Sequence, residues 1–266
     1  MPFPQIIKFS MLTACLQIWA AAGIADPLPF EPGETLFYEV RWEQVPVARV
    51  SLEVRPLEQI QSEPAYHFIF RARTYPALRL LYPVDGHIDG YTDLALTRSF
   101  RLEKDMREGW TRRAFQVDFD WDRGIATYVK RKKSRRSIPL TEGTLDMLSI
   151  LYFVRSLPLE AGMAMSRPIS SGKKIYQVEA RVLRRETIMV GDRTWPAFLI
   201  EPDVRKAGGV FQKSEKPRLL LWISADDRKI PLKIVSKVRV GAFIVELTNA
   251  LPELDRRIFE PVTAGS

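Results

Sequence analysis

The chain has 266 residues, 46% of them hydrophobic, and carries a formal charge of +8. That length and apolar content can bury a real core in a single domain, and its glycines and prolines mark turns rather than a low-complexity polymer. One cysteine and two histidines exclude a disulfide framework and give no cluster of ligands at metal spacing.

The first 25 residues carry a single charge, Lys8, followed by an apolar run over residues 11–22 that only Thr13 and Gln17 interrupt. Gly23-Ile24-Ala25 places small residues where a signal peptidase reads them, so residues 1–25 are expected to be a signal peptide cleaved after Ala25. The run is too short to span a bilayer comfortably, since a transmembrane helix needs about 20 residues. A second reading stands beside this one. Leu12-Thr13-Ala14-Cys15 has the form of a lipobox, which would leave a lipoprotein anchored through Cys15. Either way the expected compartment is outside the cytoplasm, periplasmic or secreted, and cleavage after Ala25 leaves no thiol. Residues 26–250 read as one β-rich domain and 251–266 as a charged tail.

The mature chain opens with a turn at Phe30-Glu31-Pro32-Gly33-Glu34 and then alternates with period two. Leu36, Tyr38, Val40 and Trp42 oppose Phe37, Glu39 and Arg41, and after a reversal Ala48, Val50, Leu52 and Val54 alternate with charged and small residues. These predict a hairpin. Tyr66, Phe68, Phe70 and Ala72 continue the pattern, with His67 expected on the solvent face and His87 in a turn. Residues 75–83 break it: Leu78, Leu80, Leu81 and Tyr82 lie too close together for a half-polar strand, and the flanking Pro76 and Pro83 predict a short helical turn or loop packed on the sheet. Alternation resumes over 86–92 and 99–102. Phe115, Val117, Phe119 and Trp121 then lead through Asp122-Arg123-Gly124 into a return strand over 125–130.

That strand runs into Lys130, Arg131, Lys132, Lys133, Arg135 and Arg136, a basic run that holds most of the chain's excess charge. In an exported protein the polyanions at hand are lipid headgroups and envelope polymers rather than nucleic acid. The bland reading is a solvated loop that blocks pairing at a strand edge.

Residues 144–156 are the one convincing amphipathic helix. Leu145, Leu148, Leu151 and Tyr152 share a face that Met147, Ile150 and Phe153 widen, with Thr144 expected as N-cap and Pro158 as stop. Asp146 should support the helix start and Arg155 its end through the macrodipole, while Asp146 and Ser149 could instead line a pocket mouth. Beyond it, strands are expected over 175–182, 195–200, 218–223, 230–240 and 243–247, with a turn at Asp226-Asp227 and a polar loop over 206–216. About a dozen hairpin-connected strands predict a mainly β fold, a large curled antiparallel sheet or incomplete β-barrel with the helix packed against it.

No catalytic motif stands out. The chain has no Gly-x-Ser-x-Gly elbow and no phosphate-cradling glycine loop. Glycoside hydrolysis needs one pair of carboxylates, and the candidates are Asp118 with Asp120 and Asp226 with Asp227, but the first alternates outward from a strand and the second suits a turn.

Taken together, the opening turn with Leu36 and Tyr38, then Asp146, Ser149, Tyr152 and Arg155, then Trp222-Ile223-Ser224 with Asp226, Asp227 and Pro231, and finally Gly241 with Leu247 resemble the DUF3108 family of bacterial exported proteins. The resemblance runs through nearly the whole mature chain. It implies a β-rich envelope protein of unassigned function and brings no catalytic residues, cofactor or metal. The closing stretch from Trp222 to Leu247 is also similar in style to the LolA/LolB type of lipoprotein carrier, a half-barrel that holds acyl chains.

The expectation is therefore a non-enzymatic envelope protein that binds an apolar or amphiphilic ligand such as a lipid in the concave sheet. Leu148, Leu151, Tyr152, Trp222 and Tyr38 would line that site, and the basic run would lie near an anionic membrane surface. The alternatives are a structural partner of another envelope protein, with a filled core, and a hydrolase acting through unrecognised carboxylates. Neither a cofactor nor nucleic acid is expected.

Overall fold

The computed structural model describes residues 27–130, 134–205, 217–238 and 241–248. The expected signal segment with Cys15, the basic residues Arg131, Lys132 and Lys133, the 206–216 loop and the C-terminal tail lie outside the described residues.

Among the described residues sixteen strands form one sheet. They are β1 (Thr35–Trp42), β2 (Val45–Val54), β3 (Glu58–Ile60), β4 (Glu63–Thr74), β5 (Val84–Asp93), β6 (Ser99–Glu108), β7 (Thr111–Asp120) and β8 (Ile125–Lys130) in the first half. The second half supplies β9 (Ser134–Pro139), β10 (Leu145–Asp146), β11 (Ala164–Ser170), β12 (Ile175–Val190), β13 (Arg193–Pro202), β14 (Arg218–Ser224), β15 (Pro231–Val238) and β16 (Gly241–Leu247). The order runs β10 to β16, then β1, β2 and β4 to β9, with β3 laid on β4. Every pairing is antiparallel except β10 with β11. The sheet curls without closing into a barrel, as the alternation predicts.

The two edges, β9 and β10, are consecutive in the chain, so the segment between them crosses the opening. The helix α1 (Ser149–Ser156) follows β10 and packs against the sheet. Phe68 stacks on Tyr152 with ring centroids 3.7 Å apart, and Phe30 meets both rings edge-on. Offset stacks and edge-on contacts of this kind add to the area that the rings remove from water. Tyr38, Val50, Leu52, Leu102, Val117, Phe119, Ile230 and Leu232 belong to the same core, and a second cluster gathers Val154, Leu159, Val182, Ile200 and Ile223.

The helix begins five residues later than its apolar spacing predicts. Thr144 is not its N-cap: the Thr144 Oγ1 hydroxyl donates to the Thr141 carbonyl at 2.6 Å. The Ser99 N–H donates to the Thr144 carbonyl, and the Asp146 N–H donates to Ser99 Oγ at 2.8 Å. Those bonds hold 145–146 extended as β10, and the helix starts only after them. The loop at residues 75–83 holds a 3₁₀ turn over Pro76–Leu78, as expected, but Leu80, Leu81 and Tyr82 project outward instead of packing on the sheet.

Both histidines depart from expectation. His87 lies within β5, not in a turn. His67 is buried because β3 and β5 bring carboxylates to both of its nitrogens: Nδ1 reaches Glu58 Oε1 at 2.6 Å and Nε2 reaches Asp89 Oδ1 at 2.9 Å, with the ring stacked on Tyr91. Burial pulls the imidazole pKa down, and the bonds to Asp89 and Glu58 outweigh it, so the net shift is upward. A raised folded pKa stabilises the fold fully below the unfolded value of about 6.5, and that contribution is lost as pH rises through the folded pKa. The stability gap between the native protein and His67→Gln is therefore expected to be about 1–3 kcal/mol below pH ~6 and to narrow as the pH is raised. Urea titrations across that range measure it, and a gap that widens with pH would contradict the clasp.

Candidate functional site

Four donors converge on the Asp146 carboxylate. Oδ1 accepts from the backbone N–H groups of Leu148 and Ser149 at 2.8 and 2.9 Å, and Oδ2 accepts from the hydroxyls of Ser99 and Ser149. Asp146 thus caps the first turn of α1, the role its position suggests. Burial pushes its carboxyl pKa up while the four donors pull it back. Gly90 has no side chain for a spatial reason, since a Cβ there would sit 3.0 Å from Asp146 Oδ1.

Arg155 does more than face the helix dipole. Its side chain is 0% exposed, and its guanidinium donates to both oxygens of Glu34 at 2.6 and 2.9 Å. It also donates to the carbonyls of Pro29, Arg228 and Lys229. One side chain thereby fastens the helix to the chain's opening turn and to the β14–β15 turn, with the rings of Phe30 and Tyr152 beside it. Asp226, in that same β14–β15 turn, accepts from Ser224 Oγ. Asp118 pairs with Arg101 on the neighbouring strand, and Asp120 accepts from the Arg123 N–H in a turn.

The five residues expected to line a ligand site converge in one cluster. Tyr38, Leu148 and Tyr152 are buried in it, and Leu151 and Trp222 pack against it. Tyr38 Oη donates to the Pro231 carbonyl at 2.9 Å, and the Trp222 indole N–H donates to Glu186, holding that carboxyl below the usual carboxylate range. Burial raises the pKa of both Tyr38 and Tyr152, and Tyr152 Oη is buried with no hydrogen-bond partner among the described residues.

The exposed features gather at one end of the sheet. Because the first half is an antiparallel meander, the β1–β2, β4–β5, β6–β7 and β8–β9 connections all fall on the same rim. That rim carries Leu80 at 86% exposure, Leu81 at 75%, Tyr82 at 59% and Trp110 at 76%, with Trp42 and Val45 beside the first turn. Folded soluble surfaces rarely cluster large apolar side chains in this way. Arg79, Arg112 and Arg113 are exposed at the same end, and Arg107 lies 5.7 Å from the Trp110 ring centre. Exposed Lys130, Arg135 and Arg136 flank the β8–β9 connection, which places the described part of the basic run on this rim. Residues 78–82 carry the sequence signal for the patch, whereas Trp110 joins it only through topology.

Two cavities bracket the sheet. A small one of about 70 Å³ lies on the apolar rim, lined by Arg49, Arg73, Thr74, Tyr75, Pro76 and Arg79. An open polar cleft of about 730 Å³ lies at the opposite rim, with Arg98, Trp121, Glu142 and Arg167 among its lining. Among the described residues no helix is long and apolar enough to cross a membrane.

A family profile described as a protein of unknown function, DUF3108, matches residues 38–248. Among solved structures the chain is similar to a β-barrel-like protein with a DUF1849 domain from Brucella abortus, at 9% identity and a TM-score of 0.47, over 80% of this chain and 94% of that one. It is also similar to a "putative lipoprotein" from Parabacteroides distasonis, at 10% identity and a TM-score of 0.33, over 83% and 95% of the two chains. A search of curated proteins found no match.

Proposed function

Because the chain belongs to the DUF3108 family, a family of unknown function, we propose its role from geometry: a non-enzymatic, exported envelope protein that docks on an anionic membrane surface through the apolar rim of its curled sheet. The observation that carries this reading is the clustering of exposed Leu80, Leu81, Tyr82 and Trp110 with arginines at one end. Leucines enter the acyl boundary, while Tyr and Trp suit the headgroup level, where one end of the ring is apolar and the other wet. Each cation near an anionic surface adds about 1 kcal/mol, and Lys130, Arg135 and Arg136 extend the cationic margin. Export rests on the N-terminal run with its small-residue cleavage site, or on lipidation at Cys15. The apolar rim, rather than the concave side, carries this reading.

Sedimentation with vesicles tests this. The native protein is expected to pellet with anionic vesicles, less so as salt is raised, and Leu80→Asp with Leu81→Asp should weaken binding at least tenfold, since each buried leucine is worth about 2 kcal/mol. Both positions are largely exposed, so the double variant should melt like the native chain. Native protein that stays in the supernatant at low salt would sink the reading and leave the patch for a protein partner.

A further inference from the structure

The small cavity on the apolar rim has an unusual lining. Arg49 and Arg73 come from adjacent strands, where they pair directly across β2 and β4, and Arg79 comes from the loop that also carries Leu80 and Leu81. Tyr75 positions Arg49: the Arg49 Nε–H donates to Tyr75 Oη at 3.0 Å, the guanidinium lies 4.9 Å from the ring centre, and Tyr75 Oη donates onward to Glu39 at 3.1 Å. Arg73 and Arg79 share one carboxylate, Asp85, at the long distances of 3.4 and 3.3 Å. Three guanidiniums therefore line one cavity, with Glu39 and Asp85 among the carboxylates beside them.

We propose that this cavity is a phosphate site that receives a phosphomonoester lipid headgroup once the neighbouring leucines have entered the bilayer. The guanidinium fork matches the oxygens of a phosphate in pairs, and three of them on one concavity suit a dianion better than the single charge of a diester. A volume of about 70 Å³ exceeds twice the ~30 Å³ share of a water molecule, leaving room for a tetrahedral oxyanion. The cavity lies beside residues 80–82, so a phosphate held there would belong to a lipid whose acyl chains run past Leu80 and Leu81. This inference rests on the membrane-docking reading and specifies the lipid that the rim selects.

The test compares vesicles containing phosphatidic acid with vesicles containing phosphatidylglycerol, matched for surface charge, using the full protein from an exporting host. The native protein is expected to bind the phosphomonoester vesicles roughly tenfold more tightly, the gain from one added charge-assisted contact. Arg73→Lys keeps the charge and removes the fork, so it should lose that preference while binding phosphatidylglycerol vesicles as the native protein does. Arg73→Gln with Arg79→Gln should lose the preference as well and weaken docking on both. Equal binding of the two vesicle types by the native protein, or a preference unchanged in both sets of variants, overturns the phosphate site while leaving docking intact. Binding to neither vesicle overturns the docking reading itself. Inorganic phosphate that binds as tightly as the phosphatidic acid vesicles, and displaces the protein from them, would make this a site for the free anion and overturn the lipid assignment.

Discussion

Replacing Arg155 with methionine is expected to lower stability by about 3–5 kcal/mol, the largest effect of any single substitution considered. The side chain is fully buried, and methionine fills a similar volume, so the loss is electrostatic rather than a cavity. It strands the Glu34 carboxylate, whose side chain is only 12% exposed, and leaves the carbonyls of Pro29, Arg228 and Lys229 without their donor. An uncompensated charge near the interior is what makes breaking one half of a buried pair costly. If that account holds, removing the stranded carboxylate as well must recover part of the loss. Urea denaturation of Arg155→Met, Glu34→Leu and the double variant forms the cycle. The double variant should lose less than the sum of the two single ones, by about 1–3 kcal/mol. Strict additivity, or a single-variant loss under about 1 kcal/mol, would mean that the clamp does not hold the helix in place.

The clamp also shows where the sequence stops being informative. Alternation over 36–42 and 48–54 predicts β1 and β2 because one face is apolar and the other is not, and the pairing of Tyr38 with Val50 keeps both on the core side. The same logic stops short within β6, where it reaches only residues 99–102, and misses the start of β7. Their outer faces are written in charges that pair across strands, Arg101 with Asp118 and Arg112 with Asp105, and few inner residues remain to display the period. Residues 145–148 fit a helix by spacing, and only distant partners, Ser99 47 positions earlier and the β11 residues Ile169 and Ser170, convert 145–146 into a strand. The partner of Arg155 lies 121 residues away, so a macrodipole role is all that local reading offers. The rim is legible in part. Leu80 to Tyr82 stand out as an apolar interruption, and the basic run is plain, but their meeting with Trp110, and the convergence of Arg49, Arg73 and Arg79, depend on which turns share an end of the meander.

The second large effect is expected at Asp146, and it separates two descriptions of that buried carboxylate. As a cap alone it would be worth about 1 kcal/mol against alanine and almost nothing against asparagine, which caps equally well. As a hub it also satisfies the hydroxyls of Ser99 and Ser149, and Ser99 in turn accepts the N–H that fixes β10. Asp146→Ala then leaves two backbone N–H groups and two hydroxyls buried without their acceptor, for a loss of about 3 kcal/mol. Asp146→Asn should lose clearly less. Its amide oxygen can stand in place of Oδ1 and accept from Leu148 and Ser149, while the hydroxyls rotate to accept from the new amide. Thermal and urea unfolding of both variants decide between the descriptions: an alanine loss near ~3 kcal/mol supports the hub, and an alanine loss near ~1 kcal/mol with asparagine close to native reduces Asp146 to a cap. Because the same residue joins β10 to β6, a hub that fails should release the edge of the sheet as well as the helix. Amide exchange at Leu145 and Asp146 would then rise together with exchange in the first turn of α1.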